Sequence, residues 1–124
     1  MNHSIDSLKK AIELFSEYNP LKNKAYLYIS HGNIWNNNLD ESKKYLEKTK
    51  KEDLYLEDII IFNEIQGVIY FLEKNYSKAI NSFSKCIELW PWESRYYMYR
   101  AQNYLKLRNM ESDDEKKKSL DNIR

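Results

Sequence analysis

Few side chains in this sequence have a type and a spacing that could support catalysis or metal binding. Histidine occurs only at positions 3 and 31, and cysteine only at position 86. A zinc site needs three or four His, Cys or carboxylate ligands at short, characteristic spacings, and neither histidine has such neighbours. His31 falls on a predicted amphipathic helix, where a structural role is expected. We therefore predict no metal site and no cofactor.

The remaining candidates for chemistry do not form a catalytic arrangement. Cys86 is predicted on the inner side of a helix pair, so we expect a buried, unreactive thiol. The 19 acidic residues include no pair placed as a general acid and a general base. A single cysteine also excludes an intramolecular disulfide. The protein is predicted not to be an enzyme.

Composition bounds the class of protein and of partner. A chain of 124 residues suffices for one domain, here residues 1–124, with a modest core. The balance of 20 basic against 19 acidic residues argues against a nucleic-acid partner, which requires a concentrated basic surface. There is no apolar run of about 18 residues and no secretory signal, so we expect a cytoplasmic protein without a membrane partner. We interpret the runs Asn36–Asn38 and Lys116–Lys118 as base-composition bias of an AT-rich genome.

The elements that position the side chains are predicted to be helices alone. Two glycines and two prolines provide little turn chemistry for a β protein. Apolar residues recur at spacings of three and four, which is typical of amphipathic helices. The sequence predicts an all-α fold with about seven helices, at residues 4–18, 22–35, 39–50, 54–73, 76–89, 93–107 and 110–122.

Both glycines lie inside predicted helices, where a glycine costs roughly 1 kcal/mol relative to alanine. The usual compensation is the close approach of a second helix, which a β-carbon would block. After Gly67 the small or aromatic residues Ala79, Phe83 and Cys86 follow at spacings of four and three, on one side of the next helix. Pro91 ends that helix. We predict that Gly67 is a packing point between two antiparallel helices.

This spacing resembles the tetratricopeptide repeat, a 34-residue helix-turn-helix. Residues 60–93 match its Gly, Tyr, Ala, Phe and Pro positions. Asn63 and Gln66 depart from the family, which has Trp and Leu there, and Cys86 replaces a small alanine. The resemblance implies a short right-handed α-solenoid of antiparallel helix pairs.

Two degenerate repeats flank the good one. Upstream, Gly32 and Trp35 are followed by a helix with small and apolar residues at Ser42, Leu46 and Thr49. Downstream, Ala101 lies 34 residues after Gly67, with Tyr97 and Tyr104 at packing positions. The expected layout is a leading helix at 4–18 and repeats at about 22–52, 54–91 and 93–122.

The fourth predicted helix is apolar on two sides. Besides its Gly67 side it has a stripe of Ile61, Ile65, Val68 and Leu72, and a helix of this kind must bury both sides. In the family, the second side lines a concave groove that receives a peptide or a helix. The alternative is that the stripe packs as core within the chain. The resemblance implies a protein-binding groove formed by Tyr26, Ile29, Asn33, Ile61, Glu64, Ile65, Val68, Leu72, Arg95, Met98, Tyr99 and Gln102.

One branch of the family binds acidic C-terminal tails with a clamp of Lys, Asn and Arg. The matching positions here hold Ile29, Asn33, Ile65, Arg95 and Tyr99, of which two suit that role. An apolar peptide or an amphipathic helix fits this set better.

The sequence thus predicts a protein-interaction module, an adaptor or a chaperone-like protein, whose partner is another protein. The alternative is a structural self-assembly unit, a homodimer formed through the apolar face or the C-terminal end. The aromatic run WPWESRYYMYR favours packing or a protein interface over stacked bases. Within this run, Trp92 and Tyr96 have no place in the repeat pattern.

Overall fold

The computed structural model describes residues 3–15 and 19–123, with the backbone alone at residue 123. This part of the chain contains helices and no strand, which confirms the all-α prediction. A short 3-10 turn covers Lys51–Asp53. The six α-helices are α1 His3–Leu14, α2 Pro20–Trp35, α3 Leu39–Lys48, α4 Leu56–Leu72, α5 Tyr76–Leu89 and α6 Ser94–Ile123.

Asparagine side chains begin three of these helices. The amide oxygens of Asn19, Asn38 and Asn75 accept hydrogen bonds from the backbone N–H groups of the first turns of α2, α3 and α5. An N-cap of this kind satisfies a donor that has no partner inside the helix. Pro20 follows Asn19 at the first helical position, where a missing N–H costs nothing.

The turns after α2 and α4 have the same construction. Asn37 has φ of 58° and Lys74 has φ of 62°, and each lies between a helix end and an asparagine cap. The N–H of Asn38 bonds the carbonyl of Asn33 at 2.9 Å, and that of Asn75 bonds Tyr70 at 2.8 Å. This is the Schellman pattern that ends a helix with a left-handed residue. The asparagine run at 36–38 therefore has a structural role in addition to any compositional bias.

Helices α2 and α3 form an antiparallel pair around two serines. The Ser30 hydroxyl donates to the Ser42 carbonyl at 2.7 Å, and the Ser42 hydroxyl donates to the Ser30 carbonyl at 2.9 Å. Both serines are fully buried, so small side chains allow the two backbones to approach. Farther along, the Asn23 side chain bonds the backbone of Lys50 through both of its amide atoms.

Helices α4 and α5 form the second antiparallel pair. Ala79, Phe83 and Cys86 are buried on α5, as their spacing predicts, and Phe83 lies against Gly67 of α4. The Cys86 thiol donates to the Ile60 carbonyl at 3.6 Å. These residues form one core cluster with Tyr96 of α6.

Helices α2 and α4, the first members of the two pairs, lie side by side, and the first turn of α6 contacts α4. Lys24 and Tyr28 of α2 meet Asp58 near the start of α4. His31 meets Glu64 farther along the same two helices, and Glu64 in turn meets Arg95 of α6. The contacting residues of α2 and α4, and those of α4 and α6, are thus separated by a similar number of residues in the chain.

The end of the chain differs from the prediction. Separate helices were predicted at 93–107 and 110–122, but α6 is continuous over 30 residues, so residues 3–15 and 19–123 form six α-helices and not the predicted seven. The two residues at the predicted break, Arg108 and Asn109, are not helix breakers such as glycine or proline, and neither has a positive φ. A continuous helix also places Glu111, Asp113, Asp114 and Glu115 far from the helix N-terminus, where the helix dipole would favour carboxylates.

Smaller differences concern the ends of helices. The leading helix, predicted over 4–18, ends at Leu14, and residues 16–18 lie outside the described part. Helix α3 ends at Lys48, and the 3-10 turn separates it from α4. No helix in residues 3–15 and 19–123 has the length and apolar character needed to cross a bilayer.

Candidate binding cleft

A cleft of about 340 Å³ opens between the C-terminal ends of α2 and α4 and the first turns of α6. We call it the α2–α4–α6 cleft. One residue of α5, Phe83, contributes to its floor. The cleft is lined by Ile34, Trp35, Asn37, Val68, Phe71, Leu72, Phe83, Tyr99, Gln102 and Asn103.

The lining of the cleft is mostly apolar and contains no charged side chain. Its polar groups are the amides of Asn37, Gln102 and Asn103, the Tyr99 hydroxyl and the Trp35 indole N–H. Trp35 is 67% exposed and Leu72 is 55% exposed, although both are large apolar side chains. The cleft has the size of small ligand pockets, and its exposed apolar walls remain in contact with water unless a ligand covers them.

A smaller recess of about 20 Å³ adjoins the cleft and brings in a polar cluster. Glu64 is 5% exposed and carries its carboxylate between two helices. Its Oε1 lies 3.3 Å from Nη2 of Arg95, and its Oε2 lies 3.5 Å from Nε2 of His31. Arg95 is the charged partner that compensates this buried carboxylate, and it links α6 to α4. His31 Nε2 accepts a hydrogen bond from Trp35, so its contact with Glu64 is not a second hydrogen bond.

His31 also positions Trp35 at the edge of the cleft. The Trp35 indole N–H donates to His31 Nε2 at 3.3 Å, and the two rings meet edge to face with centroids 6.2 Å apart. Both residues belong to α2, one turn apart. His31 therefore helps to hold the Trp35 side chain in its position beside the cleft.

Burial shifts two titratable groups beside this cluster. It raises the pKa of Cys86 and the pKa of Tyr96 to about 12 each, because a charged form would be desolvated. The Tyr96 hydroxyl accepts a hydrogen bond from Arg95 Nη2 at 3.1 Å. Near neutral pH both groups are protonated, so Cys86 offers no thiolate nucleophile.

The part of the chain that the structure describes contains few other arrangements of side chains that could support catalysis or metal binding. No group of three or more His, Cys, Asp or Glu side chains there could hold a metal ion. Asp58, 3% exposed, accepts a hydrogen bond from the Tyr28 hydroxyl at 2.9 Å and lies 3.7 Å from Lys24 Nζ. This arrangement links α2 to α4, and Lys24 and Tyr28 also line an apolar cavity of about 240 Å³ between α1 and α2.

Four of the twelve residues predicted for the groove line the cleft. They are Val68, Leu72, Tyr99 and Gln102. Glu64 and Ile65 line the smaller recess, together with Val68 and Tyr99. The C-terminal half of the predicted stripe on α4 thus lies in the cleft.

The other predicted groove residues lie elsewhere. Ile29 and Asn33 are buried, and Ile61 packs beside the cluster that contains Ile65, so the first half of the stripe belongs to the core. Tyr26 packs against Tyr45 of α3, with ring centroids 6.1 Å apart. On α6, Arg95 points to Glu64, and Met98 is 58% exposed outside the cleft.

Sequence reasoning missed several residues of the cleft, among them Ile34, Trp35 and Phe71. The repeat pattern matched Gly32 and Trp35 to Gly67 and Tyr70, which are also three residues apart. Tyr70, which follows Gly67 by three residues, is half-buried, whereas Trp35 projects into the cleft. No signal in one sequence separates these two positions.

Comparison of the chain with protein-family models, curated proteins and solved structures gave no match. Function is therefore inferred from the geometry of the cleft.

Proposed function

We propose that this protein is a tetratricopeptide-like interaction module that binds an apolar segment of a partner protein in the α2–α4–α6 cleft. Three features of the described chain support the repeat assignment. Two antiparallel pairs, α2–α3 and α4–α5, end their first helices with the same left-handed turn. Small residues lie between the helices of each pair. Helices α2 and α4 lie side by side, and the first turn of α6 contacts α4.

The observation that carries the proposed function is the uncharged apolar cleft itself. Its walls include large side chains from three helices that remain partly exposed. Protein interfaces concentrate binding energy in a few aromatic or aliphatic anchors that fill such pockets. The volume of the cleft suits one or two anchor side chains from an amphipathic helix or an extended peptide.

The charges near the cleft favour an apolar anchor over an acidic one. The Arg95 guanidinium lies against the carboxylate of Glu64, which lines the recess. It is therefore not free to bind an acidic ligand. The amides of Asn37 and Gln102 can bond a peptide backbone at the rim.

The test uses peptides of defined sequence. A phage-displayed library of random peptides is selected on the immobilised protein, and enriched peptides are synthesised. Binding is measured by the fluorescence of Trp35 in a variant that also carries Trp90→Phe and Trp92→Phe. We expect a blue shift, because a bound apolar segment removes the exposed indole of Trp35 from water.

A matched pair of variants makes the test specific to the cleft. Val68→Lys places a charge at the centre of the lining, and an apolar anchor would have to desolvate it, so the affinity should fall at least about tenfold. Lys44→Glu changes an exposed residue of α3 and should leave the affinity unchanged. Peptides that are apolar and bind Val68→Lys as tightly as the parent protein would refute the proposed site.

A further inference from the structure

Helix α6 has a second apolar side that faces water. Tyr97, Met98, Ala101, Tyr104 and Leu105 fall within an arc of about 120° on the helix. All five are exposed, and the four large ones range from 42% to 58%. We call this surface the outer face of α6. The opposite side of the helix contains the buried residues Tyr96 and Asn103.

The outer face of α6 is exposed because the chain continues as the same helix and does not fold back over it. Residues 106–123 extend α6, and of those whose side chains are described only Leu107 is partly buried. No helix of the described chain turns back to cover the outer face. Contiguous exposed apolar side chains on a helix mark a surface of interaction.

We propose that a second copy of this chain covers the outer face, with the two α6 helices antiparallel around a twofold axis at Ala101. A twofold interface must be self-complementary, since the same patch serves both copies. The small side chain of Ala101 at the crossing point allows the helices to approach to about 8 Å. Tyr97 of each copy then faces Leu105 of the other, and Met98 faces Tyr104.

Charges flanking the apolar patch agree with the same register. Arg108 lies seven residues after Ala101 and comes opposite Ser94, beside Glu93. The Glu93 side chain is 37% exposed, and Arg108 is exposed. Two symmetric pairs of opposite charge therefore frame the apolar centre and favour the antiparallel register.

The ends of the interface supply a further match. Met110 lies nine residues after Ala101, and Trp92 lies nine residues before it. Trp92 is 85% exposed in the turn before α6, and Met110 is 45% exposed. In the antiparallel dimer the extension of one α6 runs along the Trp90–Trp92 turn of the other copy, and the methionine can cover an indole.

A cross-linking experiment tests the register at the axis. Facing Cα atoms at a close crossing lie within the range that a disulfide spans. In Ala101→Cys, diamide should oxidise one introduced thiol from each copy to a disulfide and is itself reduced to the hydrazine. Lys106→Cys, on the same helix but off the outer face, is the control. The native Cys86 is buried and should not react.

We expect the Ala101→Cys variant to form covalent dimers at least about tenfold faster than Lys106→Cys at equal concentration, since proximity raises the effective concentration of the partner thiol. Equal rates for the two variants would overturn the proposal.

Sedimentation velocity tests the interface without cross-linking. The parent protein is measured at concentrations up to about 0.5 mM, so that a weak dimer is also detected. We expect it to be dimeric within this range. Ala101→Glu should shift the dimer to monomer, with a dissociation constant raised about tenfold or more. The matched control Asn81→Glu, on the exposed side of α5, should remain dimeric.

A charge exchange separates the proposed register from any other dimer. Arg108→Glu should weaken the dimer, and adding Glu93→Arg should restore it. A monomeric parent protein, a dimer that is unchanged in Ala101→Glu, or an absence of restoration would each refute the proposal. Folding of each variant is checked by circular dichroism. The cleft lies on another side of α6, so Ala101→Glu should still bind the selected peptides.

Discussion

The Cζ atom of Phe83 lies 2.7 Å from the point where a β-carbon on Gly67 would stand. Two further atoms of the same ring lie within 2.9 Å of that point. The ring is buried at 2% exposure and also forms part of the floor of the cleft. The glycine on α4 therefore makes room for one aromatic side chain on α5, and this contact connects the helix pair to the candidate site.

Replacing Gly67 should be destabilising although it removes a mid-helix glycine. Gly67→Leu gains roughly 1 kcal/mol of helix propensity but forces side-chain volume into the Phe83 ring. We expect a net loss of about 1–3 kcal/mol or more in the free energy of unfolding, measured by urea denaturation. Lys85→Leu, on the exposed side of α5, is the control and should change stability by less than about 0.5 kcal/mol. A Gly67→Leu variant as stable as the parent would contradict the packing role.

The two halves of the α4 stripe should respond differently to a charge. Val68 is half-buried and lines the cleft, so lysine there can extend its ammonium to water, and Val68→Lys should cost at most about 1–2 kcal/mol. Ile65 is 1% exposed, so Ile65→Lys should cost several kcal/mol or unfold the protein. Thermal melts of both variants are the measurement. Similar losses in the two would show that the cleft is not open to solvent.

The pair of Glu64 and Arg95 should be asymmetric under mutation. Arg95→Ala leaves a buried carboxylate without its guanidinium partner, and we expect a loss of about 2 kcal/mol, reduced from the value for a fully buried pair because Arg95 is half exposed. Glu64→Gln removes the buried charge and should cost less. Urea denaturation at neutral pH compares them, and a larger loss for Glu64→Gln would contradict the expected order.

Stability should fall at alkaline pH. Burial raises the pKa of Cys86 from 9.0 to about 12, and burial with the Asp58 hydrogen bond raises that of Tyr28 from 10.0 to about 12. The pKa of Tyr96 rises over the same range as that of Tyr28, chiefly through burial. The folded protein keeps these protons at pH values where the unfolded chain has lost them, so stability decreases as pH rises.

The decrease should begin near pH 9 with the thiol, steepen above pH 10 with the two tyrosines, and continue to about pH 12. Each group contributes at most about 1.4 kcal/mol per pH unit. Urea denaturation between pH 8 and pH 11 is the measurement. In the variant that combines Tyr28→Phe and Tyr96→Phe the slope above pH 10 should be smaller, although its stability is lower at every pH. An unchanged slope would show that these phenols are not buried in the folded state.

The sequence by itself determined that helices form before residue 93, although not all of their ends, and which residues of α5 pack against α4. The spacing of Ala79, Phe83 and Cys86 and the single glycine opposite them predicted a pairing that the structure contains, because such packing depends on local periodicity and side-chain size. Serine at position 42 and leucine at position 46 were predicted for the same reason and are buried. The capping role of Asn38 was not predicted, because the run Asn36–Asn38 was interpreted as compositional bias.

Only the tertiary structure decided which side of each helix stays open. Ile65 and Val68 are one turn apart in one apolar stripe, yet Ile65 packs in the core and Val68 lines the cleft that remains between α2, α4 and α6. The same holds for α6. Residues 97, 101 and 104 of its outer face were predicted to pack against another helix. Residues 108 and 109 contain no helix breaker, so the helix continues and leaves that face exposed. Burial on either side of a helix satisfies the same periodicity, and the choice between them depends on contacts that are distant in the chain.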